Sequence, residues 1–335
     1  MRLGVVWLLF GALVLTGPAP WTRTAFSPKS PSGGGDSVIG SIRARSERAL
    51  KAGLPNDSSA LLMGMVLGDD SHLSRRVKKE FKRSSLTHVV AASGQNISLL
   101  LALALPLMAA LGMALRTRLV AGVLLVIGYV PLAGGEAPIR RAAVMALVLV
   151  AAQVRGSPSD GWHALGIAGV VTSLLDRGSA ASLGWQLSFA AVAGMLSLGR
   201  RLTDFLSQRG VPALLSESLA MSVAATAATT PLIAWKVGQV SLVSVPANLV
   251  AGPAVAPAMW LGMIAATIGQ VSAHLAAPFA WLAALPAATV LEVAHVAGSP
   301  SWASVSWRPA GLLAVLMLGV VVASGIVRVP NRGAA

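Results

Sequence analysis

The chain has 335 residues, of which 55% are hydrophobic and only 11% are charged, and its mean hydropathy is +0.73. Soluble globular proteins carry about 25% charged residues, so this composition excludes that class and favours a protein embedded in lipid. The absence of cysteine excludes disulfides, thiolate metal sites and cysteine nucleophiles.

The net charge of +14 has two explanations that the sequence leaves open. Membrane proteins collect Lys and Arg in their cytoplasmic loops, which raises the net charge without any ligand. A cluster of cations also attracts an anionic partner such as nucleic acid. Two basic stretches, within residues 41–53 and 73–83, favour the second explanation for part of the excess.

Two segments precede the predicted membrane domain and differ in composition. Residues 1–17 contain a short apolar run and are interpreted as an N-terminal hydrophobic anchor or a signal. Residues 18–57 are rich in Ser, Pro and Gly, and they predict an extracytoplasmic flexible linker that ends in a basic helix.

Residues 58–85 are predicted to form amphipathic helices in the membrane interface. In their second half, Leu73, Val77 and Phe81 recur every four residues among six Lys and Arg. That spacing puts the apolar residues on one helix face and the cations on the other, as in helices that lie at a lipid surface.

Residues 86–330 are predicted to form a multi-span membrane domain, because apolar runs follow one another closely. The predicted spans are Val89–Leu115, Leu119–Leu132, Pro138–Val154, Trp162–Leu175, Leu183–Leu198, Ser218–Trp235, Pro253–Ile268, His274–Val296 and Ala310–Val327. Val240–Ala251 is too short to cross and contains Pro246, so we interpret it as a re-entrant segment or half-helix. The fold class is thus an all-α, polytopic integral membrane helical bundle. Loop charges favour a multi-pass protein of the cytoplasmic membrane with both termini inside.

Polar side chains within apolar runs are costly in lipid, so they mark either helix contacts or a hydrated pathway. A first such cluster opens the Val89 span and contains His88, Ser93, Gln95 and Asn96. These residues are candidates for a pore mouth that contacts a substrate. A helix cap with packing polar groups explains them equally well.

A second cluster lies at the start of the Pro138 span, where Arg140 and Arg141 follow directly. Proline suits the first turn of a helix, so both guanidinium groups are expected at the membrane edge. They are candidates to receive phosphates. Snorkelling, or an ion pair between Arg140 and Glu136, is the alternative.

Two further clusters lie later in the chain. Gln186 needs hydrogen-bond partners at bilayer depth, and contacts between helices explain it better than a substrate does. Lys236 and Asn248 lie in a stretch that Pro231 and Pro246 interrupt. Broken helices with free N-termini bind anions, whereas proline kinks with small-residue packing need no ligand, and both interpretations stay open.

No pattern in the sequence indicates catalysis. The five histidines have no metal-ligand spacing, and neither a Walker P-loop nor a G-x-S-x-G motif is present. We therefore predict that the chain is not an enzyme and that it has no catalytic residue, metal or cofactor.

Taken in order, the four clusters resemble motifs of the ComEC-type competence protein family. Residues 88–96 match H-[LV]-x-A-x-S-G-x-[HN], and residues 135–145 match the helix start G-x-x-P-x-x-R-A-x-x-M. Residues 184–189 match G-[FW]-Q-L-S-F, and residues 229–253 match T-x-P-L…G-x-[VI]-S-L-V-S-x-x-A-N-L-x-x-x-P. The resemblance covers about residues 58 to 268, and four motifs in sequence are far more specific than any one of them.

The resemblance implies a channel component that imports single-stranded DNA across the cytoplasmic membrane during natural transformation. The candidate residues of the DNA pathway are His88, Ser93, Gln95, Asn96, Arg140, Arg141, Gln186, Lys236 and Asn248. A transporter or flippase for another anionic substrate on the same scaffold is the alternative.

The resemblance also bears on partners and on domain content. The expected partners are single-stranded DNA and the lipid bilayer, with a DNA receptor, a helicase or ATPase and a second copy of the chain as open candidates. Members of the family often carry an OB-like domain and a metallo-β-lactamase-like domain. Neither is expected in this sequence, so the resemblance is to a shortened form.

Overall fold

A computed structural model of the protein describes residues 38–90, 93–135, 137–154, 161–175 and 179–305. The expected anchor or signal at 1–17, Glu136 with its expected ion pair, and the predicted Ala310–Val327 span lie outside the described residues. Almost all of the described chain is helical.

Thirteen α-helices and one short β-ladder form the described part of the chain. In chain order the helices are α1 (Val38–Lys51), α2 (Asn56–Leu67), α3 (Arg75–Ser84), α4 (Thr87–Val90), α5 (Gly94–Ala110), α6 (Leu115–Leu132), α7 (Ala137–Val154), α8 (Gly161–Leu175), α9 (Leu183–Gly194), α10 (Arg200–Gln208), α11 (Ala213–Lys236), α12 (Ser244–Ile268) and α13 (Ala273–Gly298). A π-helical turn, Met195–Gly199, joins α9 to α10. The strands β1 (Val240–Ser241) and β2 (Ser304–Val305) pair antiparallel.

Four helices in the described residues are long and apolar enough to cross a membrane, namely α6, α11, α12 and α13. The helices α5 and α8 are apolar but shorter. Each of the predicted spans up to residue 296 overlaps one of the observed helices. The predicted class, an all-α polytopic membrane protein, is confirmed.

The last two long helices, α12 and α13, pack against each other along a seam, and most of the buried residues of both helices are small. On α13 the fully buried positions are separated by alternately four and three residues, which places them on one helix face. They are Ala276, Ala280, Ala283, Ala287, Val290 and Ala294. Small side chains let two helices approach closely, and close van der Waals contact holds helices together in lipid.

The helix α2 lies in the interior, against α12 and α13. Ten of its twelve residues are buried. Gly262 on α12 allows α2 to pack this closely, because the Cβ of any other residue there would lie 2.9 Å from Val66 Cγ2. The burial of α2 on every side differs from the amphipathic character expected of residues 58–85, since its apolar residues cover the whole helix surface. The helix α3 is amphipathic, but its apolar residues Val77 and Phe81 are buried within the protein.

The segment Val240–Ala251 is not the predicted re-entrant segment or half-helix. Its first two residues form β1, and from Ser244 onward it belongs to α12, which continues without interruption to Ile268. Pro246 is the third residue of that helix, where a backbone N–H has no partner within the helix, so proline does not break it there.

Replacing Ala283 with Leu tests the seam between α12 and α13. Ala283 is fully buried, so the added carbons must displace the residues packed around it. We expect the free energy of unfolding in detergent micelles to fall by about 1–3 kcal/mol. The control is Leu275→Ala, at a side chain of the same helix that is 63% exposed. It should change the free energy of unfolding by less than about 0.5 kcal/mol. Equal stability of the two variants would contradict close packing around Ala283.

Candidate functional site

The buried C-terminal end of α2 is the first polar centre. The last carbonyls of a helix have no partner within the helix, and burying them unpaired is costly. Asn96 Nδ2 donates to the carbonyl of Met65 at 2.8 Å, and Tyr129 Oη donates to that of Val66 at 2.8 Å. Both side chains are buried. The helices α5 and α6 therefore each provide one donor that closes the end of α2.

Arg43 on α1 completes this end. Its Nη1 donates to the carbonyl of Leu67 at 3.3 Å and to that of Leu132 at 3.1 Å, the last residues of α2 and α6. The same guanidinium forms an ion pair with Asp69 at 3.2 Å. Burial opposes the charged form of Asp69, but hydrogen bonds from Ser71 and the charge of Arg43 outweigh it and keep the pKa of Asp69 below its usual value.

The predicted residues of the first cluster divide between this centre and the surface. Ser93 Oγ donates to Asn96 Oδ1 at 3.2 Å and so holds the amide that caps α2. His88 and Gln95 are exposed, and His88 Nδ1 lies 3.1 Å from the carbonyl of Ser85. Asn96 is thus a packing residue of the α2 end, whereas His88 and Gln95 lie on the surface of the protein.

The two predicted arginines have different environments. Arg140 is exposed, whereas Arg141 is only 2% exposed. Arg141 Nη2 donates to the carbonyl of Gly184 at 2.9 Å. Its Nε and Nη1 are buried and have no hydrogen-bond partner among the described residues. Because an unpaired buried charge costs about several kcal/mol, this guanidinium is a strong candidate to bind an anion.

Gln186 and Lys236 contact each other beside this arginine. Gln186 Nε2 donates to the carbonyl of Ala180 at 3.1 Å, and its Oε1 accepts from Lys236 Nζ at 2.5 Å. These bonds connect the start of α9 with the end of α11. Arg141 reaches the same start of α9 through Gly184. Three predicted site residues therefore converge on one helix N-terminus.

Asn248 is bonded locally. Its Nδ2 donates to the carbonyl of Ser244 at 2.9 Å within the first turns of α12. Within the described ranges, no hydrogen bond links Asn248 to another residue that was predicted for the site.

The four sequence motifs contact one another in chain order. The first motif meets the second where α5 packs closely against α7. The two helices are so close there that a Cβ on Gly94 would lie 3.1 Å from Ala142 Cβ. The bond from Arg141 to the start of α9 joins the second motif to the third. The bond between Gln186 and the end of α11 joins the third to the fourth. Motifs that are far apart in sequence thus form one continuous structure.

Aromatic packing fixes the orientation of α9 in this structure. Trp185 and Phe189 stack with ring centroids 3.9 Å apart, and Met145 of α7 packs against them. Trp185 Nε1 donates to Thr172 Oγ1 on α8 at 3.1 Å. The carbonyl that receives Arg141 is consequently held in place by contacts to both α7 and α8.

The site offers cations and amides to a ligand. In the part of the chain that the structure describes, no group of three or more His, Asp or Glu could hold a metal ion. Guanidinium, ammonium and amide groups are donors that suit carboxylates and phosphates. The arrangement is therefore suited to the binding of an anion.

Sequence reasoning missed two residues of the α2 end, Tyr129 and Arg43. Tyr129 is the only tyrosine of the chain and lies within an apolar span, so the criterion that selected Gln186 could have found it. Arg43 gave no such signal, because it is one of several cations in a basic helix and most of its partners come from distant segments.

The described helices define a polytopic helical membrane protein with a cationic centre between α7, α9 and α11. The chain matches the competence protein family over residues 65–331, which is more than half of its length, so it belongs to that family. The predicted membership of the ComEC-type competence family is confirmed.

One curated relative shares part of this sequence. The chain is 27% identical over 203 residues to ComE operon protein 3 from Bacillus subtilis (strain 168). The match covers 60% of this chain and 25% of the relative, so the chain spans about a quarter of that protein's length. No solved structure matches the chain.

Removing the hydroxyl of Tyr129 tests the closure of the α2 end. The variant Tyr129→Phe keeps the ring but leaves the carbonyl of Val66 without its donor. We expect the free energy of unfolding in micelles to fall by about 1–3 kcal/mol. The control is Ser98→Ala, which removes an exposed hydroxyl that donates to the carbonyl of Gly94 in the same helix. It should have little effect on stability. Similar losses in both variants would count against the closure.

Proposed function

We propose that this chain is a membrane component of DNA uptake in natural transformation, and that it conducts single-stranded DNA across the cytoplasmic membrane. Membership of the competence protein family supports the role in transformation. The name of the Bacillus subtilis relative, ComE operon protein 3, is consistent with it. The cationic centre between α7, α9 and α11 supports DNA as the conducted substrate.

The observation that carries the proposal is the environment of Arg141. Its guanidinium is buried, yet two of its three nitrogens have no hydrogen-bond partner among the described residues. A guanidinium presents its donors as a planar fork that fits phosphate oxygens in pairs. A passing phosphate would supply the charge and the acceptors that the described residues do not offer to Arg141, so the ligand would remove the cost of burying it.

The other predicted residues take supporting roles in this proposal. Arg140 is exposed next to Arg141 and would meet the phosphate before it reaches the buried guanidinium. Lys236 adds positive charge at the start of α9 and is oriented by Gln186. Exposed His88 and Gln95 would contact the strand, while Ser93, Asn96 and Asn248 would shape the pathway by holding their helices in place.

Passage of single-stranded DNA through the chain needs a binding site and a driving force. It does not require the chain to break a bond of the DNA. A polyanion that moves through a cationic site must be bound weakly enough to leave it, because conduction requires release as well as entry. We expect the driving force to come from a separate helicase or ATPase. A DNA receptor would deliver the strand, and a second copy of the chain could complete the pathway.

Substitution of the two arginines tests the proposal in a naturally competent host that carries this protein. Arg141→Gln and Arg140→Gln should each lower the entry of labelled DNA into the cytoplasm by about tenfold or more, because a charge-assisted phosphate contact is lost. Arg141→Lys keeps the charge but loses the fork, so its loss should be smaller. Arg116→Gln, at another exposed arginine, is the matched control and should not change uptake. The amount of protein in the membrane fraction is measured for each variant.

A deletion strain provides the decisive comparison. Normal entry of DNA in that strain would overturn the proposal. Transport of another anion by reconstituted vesicles, combined with normal transformation of the deletion strain, would instead support the transporter or flippase alternative.

A further inference from the structure

The helix α3 carries six Lys and Arg among its ten residues. Its apolar residues Val77 and Phe81 are 7% and 1% exposed and lie in the protein core. The helix packs against α13, and Gly298 allows this, because a Cβ there would collide with the backbone of Glu80. The apolar face of α3 is therefore covered by the protein itself.

Three of the six cations are bound by neighbouring groups. Arg76 Nε lies 2.9 Å from Glu80, and Lys78 Nζ lies 3.5 Å from Asp70. Arg83 donates to backbone carbonyls just beyond the end of α13. These contacts hold α3 in position, and the carboxylates of Glu80 and Asp70 offset the charges of Arg76 and Lys78.

Glu80 also fastens α3 to α13. Its carboxylate lies 2.9 Å from His295 Nδ1 as well as 2.9 Å from Arg76 Nε. Burial opposes its charged form, but the hydrogen bonds from Arg76 and His295 outweigh this and lower the pKa of Glu80. At neutral pH the carboxylate is therefore ionised and can pair with Arg76.

The other three cations form a stripe on the outer side. Arg75, Lys79 and Lys82 are exposed, and the described residues provide no ion pair to any of them. Spacings of four and three residues place them on one helix face, about 6 Å and 4.5 Å apart along the axis. The result is a regular row of cations on a helix that is packed against α13.

We infer that this stripe, Arg75, Lys79 and Lys82, binds the phosphate backbone of single-stranded DNA without sequence preference. The inference rests on the proposed function and deepens it by assigning a second DNA contact, away from the buried Arg141. A row of cations on a fixed helix follows a backbone of repeated phosphates, and each contact releases counterions from the strand.

Two observations favour DNA over lipid headgroups as the occupant. A helix that lies in a lipid interface inserts apolar residues among the acyl chains, and those of α3 are already buried in the protein. The chain also passes from α3 almost directly into α4, which begins at Thr87 and contains His88 of the first motif. A strand bound along α3 would thus follow the chain toward the predicted entrance.

The experiment measures binding of a fluorescent oligothymidylate to the full chain in phosphatidylcholine nanodiscs over a series of salt concentrations. For single strands, each phosphate contact contributes about 0.7 to the slope of log affinity against log salt. The triple variant R75Q/K79Q/K82Q should therefore lower the magnitude of the slope by about 2. The matched control R116Q/R200Q/R201Q removes three other exposed arginines and should leave the slope unchanged.

Single substitutions keep the test valid if the triple variant does not fold. Lys79→Gln alone should lower the magnitude of the slope by about 0.7. Equal slopes for the wild type and the stripe variants, or no binding of oligonucleotide by the wild type, would overturn the inference. Weaker binding of the stripe variants to phosphatidylglycerol vesicles, with unchanged DNA binding, would identify lipid as the occupant and would also overturn it.

The outcomes separate this inference from the proposed function. If the deletion strain fails to import DNA while the stripe variants bind DNA like the wild type, the proposed function stands and the stripe does not. If the stripe variants show the expected slopes while the deletion strain imports DNA normally, the stripe stands and the proposed function does not.

Discussion

A helix that ends inside the protein sets the constraint on which the rest of the structure depends. The carbonyls at the end of α2 cannot reach water, so each must receive a donor from the protein. Side chains from α1, α5 and α6 supply these donors, and the resulting bonds fix three helices around α2. The start of α5 in turn abuts α7 at Gly94, which positions Arg141 beside α9.

The buried polar groups divide into two kinds. Asn96, Tyr129 and Gln186 bond to backbone carbonyls, so they hold helices together and need no ligand. Among the described residues, Arg141 is the only charged side chain that is buried, and two of its nitrogens have no hydrogen-bond partner there. The polar groups that hold helices together thus lie on helices close to the one that carries Arg141. They help to fix the position of its guanidinium.

The sequence predicted the fold class and most spans, because apolar runs in lipid report directly on helices. It also selected Arg141, Gln186 and Lys236, whose charge or amide groups are costly among apolar residues. It could not tell that Asn96 caps a distant helix, since that depends on which chain segment lies opposite. Pro246 misled the prediction of a half-helix because its position within the first turn of α12, where proline is harmless, is visible only once the helix start is known.

The central claim is that the Arg140–Arg141 corner lies on a hydrated route for DNA, and thiol accessibility measures this directly. The natural chain has no cysteine, so Arg140→Cys introduces a unique thiol, and Leu124→Cys at a 64% exposed side chain of a spanning helix is the control. We expect a charged thiol reagent to modify Arg140→Cys rapidly and single-stranded DNA to slow this modification, whereas Leu124→Cys should react slowly in both conditions. Equal rates at the two positions, or a rate at Arg140→Cys that DNA does not change, would contradict the account.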